Sequence, residues 1–298
     1  MKKIFTAILA VVLLLLLEAP IALATPEKDN SSLASNVELV KKVTLRGKPV
    51  GGGKPVRQAA TGVLGASLEP GAKRYAIVVG ISNYPGASSD LQYADDDAMA
   101  LRNALIDVYD YQSDDINLLT DIGASYNAIQ NAISDVKGKA VPGDEVVFFF
   151  SGHGAKGKAD DGDMSNTDQA IVVNKDNGDW GYIWDGELVQ WFNGFKANRI
   201  VFIFDSCLAG GMSVLKAPNR VVNMACTING VSYEGTSWGN GHGQFTYYFA
   251  EEGMQYKKAD IRAKDDAVTV EEAFDYAKAN CQFQTPTVAD GFANDLLP

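Results

Sequence analysis

An α/β fold built on a mostly parallel sheet is predicted by three observations. Four short runs, "YAIVVGI" (75–81), "INLLT" (116–120), "EVVFFF" (145–150) and "RIVFIF" (199–204), are continuously apolar, as strands covered on both faces are. Stretches of helical character separate them: "ADDDAMALRNALIDVY" (94–109), "SYNAIQNAISDVKG" (125–138) and "DGELVQWFNGF" (185–195). Strand and helix therefore alternate, and alternation calls for crossovers that place parallel strands side by side with helices on both faces.

In chain order, Lys2 and Lys3 precede an apolar run from Ile4 to Leu17, and "ALA" at 22–24 supplies small residues for cleavage. Residues 1–24 read as a secretory signal peptide, too short to span a bilayer comfortably. Residues 25–72 carry "GKPVGGGKPV" (47–56) and no long hydrophobic period, which predicts a flexible pro-segment or linker. From residue 73 to 298 no second break in composition occurs, so one domain is expected. Its last third adds a fifth strand, "RVVNMAC" (220–226), and a helix, "GQFTYYFAEEG" (243–253). A further helix (269–280) opens with Thr269 and has Glu272 three residues later, a capping-box start.

The 298 residues are 46% apolar, enough for a sizeable core, and carry a formal charge of −11, or −12 once residues 1–24 are removed. That excess repels nucleic acid and anionic membranes and favours basic peptides and cations as partners. An extracytoplasmic, monomeric protein is expected, touching a membrane only through an uncleaved signal segment. Three cysteines (207, 226, 281) are an odd number. They fit either a Cys226–Cys281 bridge with Cys207 free, or buried reduced thiols.

In open parallel sheets functional groups gather beyond the carboxyl ends of the strands. Here one apolar strand runs into Ser151-Gly152-His153-Gly154 and another into Asp205-Ser206-Cys207. If the two strands are neighbours, a thiol faces an imidazole, which can take its proton and return it to a leaving amine. The N–H groups of Gly154 and Cys207 are candidates for an oxyanion site. His242 lies between glycines in a polar loop and reads as a loop histidine; Cys226 reads as packing or disulfide.

With these motifs, "KRYAIVVGISNY", "YADDDAMAL", "VVFFFSGHG", "FDSCLAGG", "ACTINGVSYE" and "GQFTYYFAEEG" stand in the order and spacing of caspase-like cysteine peptidases, and most resemble the metacaspase branch. The histidine precedes the cysteine by 54 residues, against about 50 in caspases. The caspase Gln-Ala-Cys signature is absent, with Asp205 at the Gln position. The resemblance implies the caspase-haemoglobinase fold, with a mostly parallel six-stranded sheet. It also implies a His153/Cys207 dyad and an acidic pocket formed by Asp97, Ser151 and Asp205. Such a pocket suits Arg or Lys at P1, the residue before the cut bond.

Calcium is a candidate cofactor by the same resemblance, with Asp163, Asp168 and Asp176 as its ligands. The segment 158–179 departs from an EF-hand and from the fuller family motif, and also reads as a solvated acidic loop. Self-cleavage is expected at Lys216 or Arg220, or near the pro-segment at Lys54, Arg57, Lys73 or Arg74. Two rivals are a peptide ligase or transpeptidase using the same dyad, and a binding module without turnover.

Overall fold

The computed structural model describes residues 34–46, 59–162, 164 and 166–298. The expected signal peptide (1–24) and the basic residues Lys54 and Arg57 lie outside the described residues. In chain order the strands are β1 (Ala34–Val40), β2 (Val43–Leu45), β3 (Arg74–Gly80), β4 (Ile116–Thr120), β5 (Glu145–Ser151), β6 (Gly154–Ala159), β7 (Asp168–Asn174), β8 (Trp180–Trp184), β9 (Arg199–Asp205), β10 (Arg220–Met224), β11 (Tyr233–Gly235), β12 (His242–Gly243) and β13 (Thr287–Asp290). The helices are α1 (Ala94–Tyr109), α2 (Tyr126–Lys139), α3 (Asp185–Phe192) and α4 (Val270–Asn280), with a π-helix at Tyr247–Gln255.

The central sheet has six strands in the order β13-β10-β9-β5-β3-β4. All neighbours are parallel except β13, which runs antiparallel to β10. This is the mostly parallel sheet expected. Side chains alternate across it with period two. Ile77, Val79, Phe148, Phe150, Phe202 and Phe204 join α2 and α3 in one core, while Val78, Val147, Phe149, Val201 and Ile203 join α1, the π-helix and α4 in the other. Thr269 caps α4 and accepts from Glu272 N–H, while Glu272 returns a bond to Thr269 N–H, the predicted capping box.

Of the two readings of the cysteines, the buried reduced thiols hold: all three are free, with Cys226 packed into the core on one face of the sheet and Cys281 into the core on the other, so no bridge joins them. Two expectations fail. The segment expected as an acidic loop, 158–179, carries the end of β6 and the whole of the buried strand β7, which pair antiparallel with each other in a second sheet of order β1-β6-β7-β8. Nor are residues 34–46 a free linker. β1 pairs with β6, and β2 pairs in parallel with β11, whose other edge carries β12. Backbone bonds to the edges of existing strands, rather than an apolar pattern, hold this segment down. Among the described residues no helix is long and apolar enough to cross a membrane.

Candidate active site

Strands β5 and β9 are hydrogen-bonded neighbours in register, Ser151 opposite Asp205, so the two motif-bearing strand ends do lie side by side. The backbones beyond them touch closely. A Cβ built on Gly154 would fall 2.1 Å from the carbonyl oxygen of Cys207, so only glycine allows the turn after His153 to pass the cysteine. Cys207 stands two residues beyond the end of β9 and is followed by Leu208 in the left-handed region (φ 60°), a sharp turn just after the thiol.

His153 is nearly fully buried and held on three sides. Tyr84 stacks on the ring with centroids 4.7 Å apart, and its hydroxyl accepts from His153 N–H at 2.9 Å. Nε2 lies 2.7 Å from the carbonyl of Ser89 and so donates to it, which leaves Nδ1 as the basic nitrogen. Burial pushes the imidazole down to about 4 and the Cys207 thiol up to about 11. Both groups are therefore neutral near pH 7 in this arrangement. The thiol sulfur accepts from Ser232 N–H at 3.2 Å.

Asp97, Ser151 and Asp205 come together, as expected, from the first turn of α1 and the ends of β5 and β9. Ser151 Oγ donates to Asp97 Oδ2 at 2.7 Å. Asp205 accepts from Ser232 Oγ on one oxygen and from Thr246 N–H and Oγ1 on the other. Burial alone would raise the Asp97 carboxyl, but the Lys42 ammonium and hydrogen bonds from His242 and Ser151 hold it below its usual range. The floor of this pocket is Gly243. A Cβ there would lie 2.3 Å from Asp205 Oδ2, 2.6 Å from Lys42 Nζ and 2.7 Å from Asp97 Oδ2, in the space between the two carboxylates.

Three residues of the site carry no signal in their own stretch of sequence. Lys42, from the segment between β1 and β2, fills the pocket. Its Nζ lies 3.0 Å from Asp205 Oδ1 and 3.3 Å from Asp97 Oδ2, and donates to Ser151 Oγ at 3.0 Å. Burial opposes its charge, yet the attraction of Asp205 and Asp97 leaves the ammonium pKa raised. Glu234 is a further buried acid near Lys42; it accepts from Thr44 Oγ1 at 2.6 Å, and burial raises its carboxyl. His242 is no plain loop histidine. It bridges Asp97 Oδ1 and Glu251 Oε2, each at 3.1 Å, behind the pocket.

The calcium ligands divide differently from the expectation. Asp168 opens β7 and meets Asp161 and Asp185, all three buried, with one oxygen of each within 4.8 Å of the others. Asp163 lies outside the described residues. Asp176 sits in the turn after β7, roughly 20 Å further along the strand, where it accepts from Asn127 Nδ2 instead. Asp168 Oδ1 is buried with no hydrogen-bond partner among the described residues. Three buried carboxylates are costly without a compensating cation, and an all-oxygen donor set suits calcium. Millimolar calcium is expected to raise the Tm by about 5 °C or more, and Asp168→Asn to remove that shift. A wild-type Tm unmoved by calcium would eliminate the site.

The caspase domain of peptidase family C14 matches residues 73–292. Metacaspase-1 of Schizosaccharomyces pombe is 31% identical over 167 residues, 50% of this chain and 39% of that protein. Metacaspase-1 of Pyricularia oryzae is 31% identical over 165 residues, 49% of this chain and 41% of its own. Metacaspase-7 of Arabidopsis thaliana is 30% identical over 149 residues, 47% of this chain and 36% of its own. The chain thus spans about two fifths of the length of these relatives. Protein GSU0716 of Geobacter sulfurreducens shares the fold, with a TM-score of 0.54 at 15% identity over 75% of this chain and 95% of that one. With the caspase domain matched over 73–292, the sheet order established and histidine and cysteine at adjacent strand ends, the chain belongs to the caspase-domain peptidases of family C14 and is similar to metacaspases.

Proposed function

We propose that this protein is a cysteine endopeptidase that cuts after Arg or Lys through His153 and Cys207. The observation that carries the specificity is Lys42: a lysine head group already sits in the pocket, matched by two buried carboxylates and a hydroxyl. Carboxylates in a buried pocket discriminate strongly by charge, because an acidic or neutral P1 side chain leaves them without a partner.

In this reading His153 Nδ1 takes the thiol proton as Cys207 Sγ attacks the carbonyl carbon of the basic residue. The oxyanion meets the N–H groups of Cys207 and Gly154. Collapse of the tetrahedral intermediate breaks the peptide C–N bond, His153 returns its proton to the departing amine, and water hydrolyses the thioester. Calcium bound by Asp161, Asp168 and Asp185 would brace the β6–β7 connection and the start of α3, with no part in bond making.

Secretion through residues 1–24 belongs to the same reading, as does self-processing. Of the basic residues proposed as cleavage sites, Lys73 and Lys216 are exposed, whereas Arg74 and Arg220 lie in central-sheet strands and are the poorer targets. The test is hydrolysis of fluorogenic peptides differing only at P1. Arg and Lys are expected to exceed Asp and norleucine by at least about a hundredfold in kcat/KM. Preference for Asp would reject the pocket assignment.

A further inference from the structure

Lys42 reaches its pocket in a way that bears on how the site is controlled, given the Lys/Arg reading above. Peptide hydrolysis after a lysine sends the amine of the following residue away as leaving group, so the histidine must face that following nitrogen. For Lys42 the following nitrogen is that of Val43. It donates instead to the carbonyl of Ser232 at 3.0 Å, on the side where Ser232 N–H contacts the Cys207 sulfur. The nitrogen at the histidine is that of Lys42 itself, whose N–H donates to His153 Nδ1 at 3.0 Å. Two amide nitrogens have exchanged the places that catalysis requires.

The flanking strands fix this polarity. Upstream, Val40 and Leu39 pair with Gly154 and Ala155 on the histidine side. Downstream, Val43, Thr44 and Leu45 pair in parallel with Tyr233, Glu234 and Gly235 on the cysteine side. The lysine therefore satisfies the specificity pocket while the bond after it is turned away from the dyad. Its N–H also occupies the one basic nitrogen of His153, since Nε2 is committed to Ser89.

We propose that residues 34–46 form an intramolecular plug, with Lys42 a pseudo-substrate of reversed polarity: it blocks the pocket and the base at once and is not itself cut. Tethering keeps the plug at high effective concentration, so latency needs no separate inhibitor. Activity then requires displacement of this segment.

The test compares the full chain with its Lys42→Ala, Lys42→Arg and Val43→Pro variants; the last removes the N–H that donates to Ser232 and leaves the lysine in place. Two quantities are read: turnover of Arg and Lys peptides, and the rate at which iodoacetamide labels Cys207, located by mass spectrometry. Lys42→Ala and Val43→Pro are expected to raise both by on the order of a hundredfold, and Lys42→Arg to stay close to wild type. Circular dichroism identifies any variant that has not folded, and the remaining one decides. Unchanged labelling in a folded Lys42→Ala or Val43→Pro protein overturns the plug. A new N-terminus at Val43 in wild type, absent from Cys207→Ala, overturns the reversed polarity. Faster labelling without any peptide turnover would uphold the plug and reject the peptidase reading, so the two fail separately.

Discussion

Asp205→Asn, made in the Lys42→Ala background so that the plug does not interfere, is expected to lower kcat/KM for Arg and Lys substrates about a hundredfold to a thousandfold. Asparagine preserves the shape but removes the charge, leaving Asp97 as the pocket's only first-contact acid. It also puts an amide NH₂ where Asp205 has only acceptors. Turned toward Thr246 the NH₂ meets a backbone N–H, donor against donor; turned toward Ser232 it meets a hydroxyl that can accept, but it then presents a donor where a cationic P1 head group needs an acceptor. The effect should fall on basic substrates far more than on a norleucine peptide. Equal losses for both would mean that Asp205 supports the fold around Cys207 and does not recognise P1. Gly243→Ala approaches the same pocket sterically, and should exclude Arg and Lys while leaving both carboxylates in place.

Cys207→Ala and His153→Ala should each lower turnover by about 10⁴-fold or more, and the double variant should lose little beyond either single one, because the two residues act as a unit. Their structural costs differ. Cys207 Sγ accepts one bond, from Ser232 N–H, so its alanine variant should unfold within a few degrees of wild type. His153 joins Ser89, the Tyr84 ring and the Lys42 N–H, and its loss should loosen the docking of residues 34–46. Burial also depresses the His153 pKa, so its contribution to stability has a defined sign. It is fully present above about pH 6.5 and is lost as pH falls toward the folded value of about 4. Turnover above one per cent of wild type in Cys207→Ala, measured in the unplugged background, would remove the thiol from the mechanism.

The central sheet was legible because strands buried on both faces must be apolar throughout, and the four runs of the sequence correspond to β3, β4, β5 and β9 within a residue or two. The placement of His153 and Cys207 beyond adjacent strand ends was legible for a related reason: polar residues at the end of such a strand interrupt an otherwise uniform pattern. The second sheet left no comparable trace. β6 is "GAKGKA", without a large apolar residue, and it is held mainly by backbone pairing on both edges. Lys42 was beyond reach because nothing local distinguishes it from Lys41. What buries it are oxygens 55, 109 and 163 residues away. His242 failed in the same way, since its partner Asp97 lies 145 residues back and the glycines around it suggested only a turn.

β1 is the outermost strand of the second sheet, and its pairing with β6 has a consequence for the unplugged protein. When residues 34–46 lift away, β6 becomes a bare border: the N–H and C=O groups that faced β1 lose their partners, while those facing β7 keep theirs. Such borders invite strands from other molecules. Lys156 and Lys158 stand on this one, Lys156 having lost its ion pair with Glu38, and like charges on an exposed border discourage two unplugged copies from joining there. An extended acidic peptide meets no such repulsion. Release of the plug would therefore leave the molecule with a second vacancy besides the catalytic pocket, open to strand addition by acidic chains and guarded against its own kind.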